Sequence, residues 1–138
     1  MLLPSDWIVR WGPSIPELGR VLDVACGSGR HARWLAERGY EVDAIDRDSQ
    51  ALATLTGVER IHTLCVDIEA GAWPYERERY AGVVVTRYLH RPLFPVLLDA
   101  LAPGGVLIYE TFAAGNERYG KPSNPDFLLH PGELLERV

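Results

Sequence analysis

Two glycines, Gly27 and Gly29, stand directly behind the apolar run Val21-Leu22-Asp23-Val24-Ala25-Cys26 and ahead of a stretch with helical spacing. Glycines at such a junction let the backbone approach a ligand closely and take conformations that other residues resist. The free amides at the start of the following helix favour an anionic group there, a carboxylate or a phosphate. Asp23, four residues before Gly27, interrupts an otherwise apolar segment. Burying an unpaired carboxylate is costly, so it is expected to have hydrogen-bond donors or a cationic partner. Asp46 closes the next apolar segment, seventeen residues after Gly29. A carboxylate at that point is placed to accept hydrogen bonds from the two hydroxyls of a ribose. Asp67 closes a third segment and is placed to accept from an adenine amino group, with Ile68 beside it to pack on the ring.

The elements that must hold these residues follow a regular rhythm. The short apolar run over 20–26 has the pattern of a strand buried on both faces, and 41–46, 60–66, 80–86 and 106–111 read as four further strands. Helical spacing appears at 30–38, ended by Gly39, at 49–55, ended near Gly57, and at 93–101, opened by Pro92. Pro103-Gly104-Gly105 reads as a turn into the fifth strand. A polar loop over 113–127 and a last helix over 131–138 follow. At the start, Trp7, Ile8 and Trp11 share one face of a short helix, expected to pack into the core or to lie over the site as a lid covering residues 1–17. Alternating strands and helices imply right-handed crossovers and a sheet covered on both faces. The expected fold class is therefore α/β, a Rossmann-like three-layer sandwich with a mainly parallel sheet in the order 3-2-1-4-5. In such sheets ligands bind beyond the carboxyl ends of the strands.

With these residues in that order, residues 18–112 resemble the class I S-adenosylmethionine (SAM)-dependent methyltransferases. Asp23-Val24-Ala25-Cys26-Gly27-Ser28-Gly29 is similar to the family's first motif, Asp46 to its second and Asp67 to its third, and Pro103-Gly104-Gly105 matches its habit before the fifth strand. The resemblance implies that the loop at Gly27 and Gly29, with Asp23, Ala25 and Cys26, holds the amino-acid part of SAM. It implies that Asp46 binds the ribose and that Asp67 and Ile68 frame the adenine, and Arg47 is counted among the cofactor contacts. Arg87 is counted with the cofactor contacts; binding an anionic substrate and pairing with Asp67 or Glu110 are its alternatives. Ala25 stands where many members carry glycine, and only local adjustment is expected there.

Methyl transfer from a sulfonium is an in-line displacement in which the cofactor brings the reactive carbon and the protein mainly aligns the partners. A base is needed only where the acceptor must lose its proton early. The family's catalytic position, where it has one, follows the fourth strand; here that segment is Thr86-Arg87-Tyr88-Leu89-His90-Arg91. Tyr88 and His90 are the candidate catalytic residues, Tyr88 through its aromatic face and His90 as a base; a packing or capping His90 is the alternative. Tyr119, Lys121, Asn124 and Phe127 are candidate substrate contacts. His31 and His62 read as surface or strand-edge residues without partners, and His130 as part of a turn.

Gly27-Ser28-Gly29-Arg30-His31-Ala32 also satisfies the short glycine pattern of NAD-dependent oxidoreductases, but Asp23 and Asp67 are unexplained by that reading. A non-catalytic SAM-binding partner subunit is a second alternative. The chain has 138 residues, a net charge of -5 and no basic block, which argues against a nucleic-acid partner and for a small-molecule acceptor. No apolar run approaches the ~20 residues of a membrane span, no leader is visible, and a cytoplasmic location is expected. Cys26 and Cys65 read as buried free thiols, and no metal site is expected. One SAM-binding domain over 1–138 is expected, without the family's sixth and seventh strands. That would leave the fifth strand as an exposed apolar edge, for which a homodimer closing it, a chain shortened at Val138 and a helix folded over it are the open readings.

Overall fold

The computed structural model describes residues 4–17, 19–70, 73–86, 88 and 90–110. Five strands, β1 (Arg20–Val24), β2 (Glu41–Asp46), β3 (Ile61–Cys65), β4 (Tyr80–Thr86) and β5 (Leu101–Glu110), form one sheet in the order β3-β2-β1-β4-β5. Every neighbouring pair is parallel. The expected α/β class and strand order therefore hold.

Alternation along each strand divides the core into two layers. Val21, Val42, Ala44, Val84 and Ile108 face α1 (Asp6–Trp11), α2 (Arg30–Glu37) and α3 (Ser49–Ala53), packing with Ile8, Ala32, Leu35 and Leu52. Leu22, Val24, Ile45, Val83 and Val85 face α4 (Phe94–Ala100), packing with Phe94 and Leu97. Each helix starts where the local chemistry allows. Ser5 caps α1 by accepting from the Ile8 amide, and Asp48 caps α3 by accepting from Gln50 and Ala51. Gly29 opens α2 with a left-handed φ of 84°.

Several orientations differ from the sequence expectation. In α1 only Ile8 enters the core; Trp7 and Trp11 are 42% and 39% exposed and stack edge-on against each other. A six-residue helix lying on a sheet buries one stripe, and here Ile8 occupies it. His31 is not a surface residue. It sits on the inward stripe of α2 with Ala32 and Leu35, 2% exposed, and its ring nitrogens meet the Ser5 amide at 3.0 Å and Thr86 Oγ1 at 3.2 Å. His62 does have a partner, Glu41, at 3.2 Å across neighbouring strands. Cys65 is exposed, because β3 is an edge strand of which only Ile61 is buried.

Pro103-Gly104-Gly105 is not a turn before β5 but an irregularity inside it, with the register slipping between Tyr80 and Gly82 and Gly104 at φ 79°. α4 passes directly into the strand at Leu101, and the bulge absorbs the proline that a regular ladder would reject. α3 and α4 are shorter than expected, ending at Ala53 and beginning at Phe94 after a 3-10 turn over Arg91–Leu93. The expected loop over 113–127, with Tyr119, Lys121, Asn124, Phe127 and His130 nearby, and the last helix lie outside the described residues. Among the described residues no helix is long and apolar enough to cross a membrane, and no group of histidine, cysteine or acidic residues could hold a metal ion.

Candidate functional site

The register aligns Val24 with Ile45, and Asp46 with Cys65, so β1, β2 and β3 end at one edge of the sheet. The chain leaving β3 turns back over that edge through Asp67, whose carboxylate accepts from the Glu69 amide at 3.0 Å, a turn stabilised by its own side chain. A cleft of about 200 Å³ opens between this turn and the strand ends. Ala25, Asp46, Arg47, Asp67, Ile68 and Tyr88, six of the residues singled out by sequence, line it together with Ile45, Val66 and Glu69.

Asp46 is tied to the glycine loop. Its Oδ2 accepts from the Gly27 amide at 2.8 Å and its Oδ1 from the Asp48 amide at 2.9 Å. The β1–β2 ladder continues one step past the strands, with the Cys26 amide donating to the Ile45 carbonyl at 3.0 Å, and the loop closes with the Gly29 amide donating to the Cys26 carbonyl at 3.0 Å. Three positions of the loop, Ala25, Gly27 and Gly29, have left-handed backbone, and two of them constrain the residue type further. Gly29 packs so tightly that an added Cβ would stand 2.5 Å from Leu55. Ala25 has a left-handed φ of 54°, which costs an L-residue roughly 1–2 kcal/mol and which glycine tolerates freely. The adjustment at Ala25 is thus a strained residue rather than a changed loop path.

Asp23, Cys26, Gly27 and Gly29 stand behind the cleft rather than in its wall. Asp23 shares the α2 face with its neighbours Ala44 and Val84 and is wholly buried. Contrary to expectation, neither carboxylate oxygen has a hydrogen-bond partner among the described residues. Burial pushes its pKa up from 3.8 to about 7, with Asp46 adding to the rise, while the Ala32 amide, near but outside hydrogen-bond geometry, and Arg30 pull it down. The Cys26 thiol is also pushed up, first by burial and then by Asp23 and Asp46, which leaves it inert as a nucleophile.

The segment after β4 meets the cleft through one carboxylate that sequence reasoning passed over. Glu69 Oε2 accepts from the Tyr88 hydroxyl at 2.8 Å, and Glu69 Oε1 lies 3.3 Å from His90 Nδ1. Burial first, then the Glu69 hydrogen bond, raises the Tyr88 phenol, so it stays protonated. Tyr88 and His90 are therefore brought together, and by a residue from the β3 side. Glu69 carries no sequence signal beyond being acidic two positions after Asp67. Ile45 and Val66 read only as strand residues. Arg87 lies outside the described residues.

A family model described as "Methyltransferase domain" matches residues 21–105. The chain is 34% identical over 104 residues to the protein-L-isoaspartate O-methyltransferase of Chlorobaculum tepidum, covering 72% of this chain and 48% of that protein. It spans less than half the length of the curated relatives it matches. Its fold is similar to that of a SAM-dependent methyltransferase from Archaeoglobus fulgidus (TM-score 0.76, 16% identity, 94% of this chain and 63% of that one). It is also similar to that of a glycopeptide N-methyltransferase solved with S-adenosyl-L-homocysteine (TM-score 0.62, 21% identity, 81% of this chain and 53% of that one).

Proposed function

Because the chain belongs to the methyltransferase-domain family, with SAM as its cofactor, we propose that it is a cytoplasmic enzyme that methylates a small-molecule acceptor and releases S-adenosyl-L-homocysteine. The observation that carries this reading is the charge of the site. Asp46, Asp67 and Glu69 line the cleft with a single described cation, Arg47, and the buried Asp23 carboxyl has no hydrogen-bond partner among the described residues. SAM carries an ammonium and a sulfonium, which such a site attracts. The pyrophosphate of NAD is repelled by it, and the Gly27 amide that would face a phosphate already serves Asp46.

When bound, SAM supplies an electrophilic methyl group whose bond to sulfur breaks as the acceptor attacks. The protein's share is placement. Asp46 would take the ribose hydroxyls, and Asp67 with Ile68 would hold the adenine edge and face, with Arg47 in the same wall of the cleft. Gly27 and Gly29, with Ala25 and Cys26, let the amino-acid end lie close to the backbone, where Asp23 offers negative charge to its ammonium. Tyr88 and His90 face the acceptor side.

Calorimetric titration with S-adenosyl-L-homocysteine beside NAD tests the reading. The expected result is binding of the former alone, and a loss of about 1.5–3 kcal/mol in Asp46→Ala through the missing charge-assisted hydrogen bonds. Preference for NAD overturns the cofactor reading. Unchanged affinity in a folded Asp46→Ala variant overturns the ribose assignment.

A further inference from the structure

We propose that Glu69 is a positioning residue that sets His90 as the proton acceptor for a neutral hydroxyl-bearing substrate, a phenol or an enol, so that the chain is an O-methyltransferase of that acceptor class. The inference rests on the methyltransferase reading above and deepens it by naming the acceptor. It begins with how firmly the group is held. The Glu69 amide is fixed by Asp67, the Tyr88 carbonyl accepts from the Tyr109 hydroxyl of β5 at 2.8 Å, and the His90 carbonyl accepts from the Leu93 amide at 3.0 Å. Three side chains from two separate segments are thereby brought together, Glu69 and Tyr88 in the wall of the cleft and His90 beside them, and of the three Glu69 is the one in contact with both others.

The arrangement assigns a different task to each residue. A carboxylate opposite Nδ1 favours the imidazole tautomer with its proton on Nδ1, which places the lone pair on Nε2. The same carboxylate stabilises the imidazolium once Nε2 has taken a proton, the logic by which a base is oriented by a third group. Tyr88 donates its hydroxyl to Glu69 and keeps its proton, so it closes the wall as a neutral aromatic. A base has value only for an acceptor that arrives protonated. A carboxylate acceptor would arrive as an anion, with no need of His90 and against the charge of Asp46, Asp67 and Glu69. A neutral hydroxyl meets neither objection. In the transfer its proton goes to Nε2 and its oxygen lone pair forms the new bond to the methyl carbon. The carbon–sulfur pair returns to sulfur, and the imidazolium then releases the proton to water.

Two measurements decide it. Imidazole ¹⁵N NMR of the ligand-free protein is expected to show His90 protonated on Nδ1, with that pattern lost in Glu69→Ala and kept in Tyr88→Phe. S-adenosyl-L-homocysteine formation is then followed with phenol, catechol and benzoate as acceptors. Transfer is expected to a hydroxyl compound and not to benzoate. His90→Ala should lower kcat about 100-fold or more, with partial rescue by added imidazole, and Glu69→Ala should lower kcat more than it changes KM. An Nε2-protonated His90 in the wild type, or full activity in His90→Ala, overturns the pair. Benzoate as the preferred acceptor, or no transfer to either hydroxyl compound by protein that binds S-adenosyl-L-homocysteine, overturns the acceptor class. Absence of that binding is instead the failure of the cofactor reading.

Discussion

Replacing Asp23 by asparagine should make the ligand-free protein more stable at pH 8 while weakening its hold on the cofactor. The wild-type carboxyl is wholly buried, without a hydrogen-bond partner among the described residues, and titrates at about 7 against 3.8 for an ordinary aspartate. A folded-state pKa above the unfolded one means that the native state binds the proton more tightly. The unfolded chain ionises first, so stability falls as pH rises from about 4 and reaches its full penalty above about 7. At ~1.4 kcal/mol per tenfold change, the difference corresponds to at most about 4 kcal/mol. Asparagine has nearly the shape of the protonated acid and never ionises. Below pH 4 the two proteins should match within about 0.5 kcal/mol. At pH 8 the variant should melt higher by at least about 5 °C, as expected for a gain of a few kcal/mol in a domain of this size. Thermal denaturation followed by circular dichroism at pH 4, 6 and 8 is the assay. Parallel curves for the two proteins across that range would show that Asp23 is not an uncompensated buried charge, and the argument that it awaits a cationic ligand would fall with it.

Asp43 should behave with the opposite sign. Burial raises its carboxyl, but hydrogen bonds from Arg20 at 2.6 and 3.0 Å and from Tyr80 at 2.6 Å, with Arg79 nearby, outweigh that and hold it below the ordinary range. Its contribution is present above pH ~4 and is lost on acidification; Asp43→Ala should cost about 1.5–3 kcal/mol at pH 7 by removing the charge-assisted hydrogen bonds from Arg20 and Tyr80, read as a fall in denaturation midpoint. Gly29→Ala combines a left-handed backbone with a 2.5 Å approach to Leu55 and should destabilise by about 2 kcal/mol or more, whereas Ala25→Gly should relieve strain and cost nothing in stability. Urea denaturation of both variants checks the pair; equal destabilisation would contradict the backbone argument.

What sequence could reveal depended on whether one element or several decided the outcome. β1 and β4 were legible because a strand buried on both faces is largely apolar, β2 because Val42, Ala44 and Ile45 stand between the acidic residues at its ends and centre, and Gly39 marks the end of α2 by chemistry of its own, with φ at 96°. Pro103-Gly104-Gly105 has the composition of a turn, and only the direct passage from α4 into β5 converts it to a bulge. The facing of Trp7, Trp11, His31 and Cys65 was set by which neighbours arrived, not by the residues themselves. Of the site, the residues at the ends of consecutive strands were foreseeable from the rule that ligands bind there. Glu69 was not, because its contact with Tyr88 and His90 exists only once the chain from the edge strand β3 has folded back across β2 and β1 to the end of β4.

The strand order also sets a schedule. A ribosome delivers β1, β2 and β3 together with nearly all of the cleft wall, and these pair among themselves as they emerge. The other flank of β1 must wait for β4, whose partners Gly82 to Val85 lie far downstream of Val21 to Val24. During that interval the strand at the centre of the sheet presents an unpaired edge. Nascent-chain mispairing and the need for chaperone shielding should therefore concentrate on Val21-Leu22-Asp23-Val24, the stretch on which the cofactor loop is built.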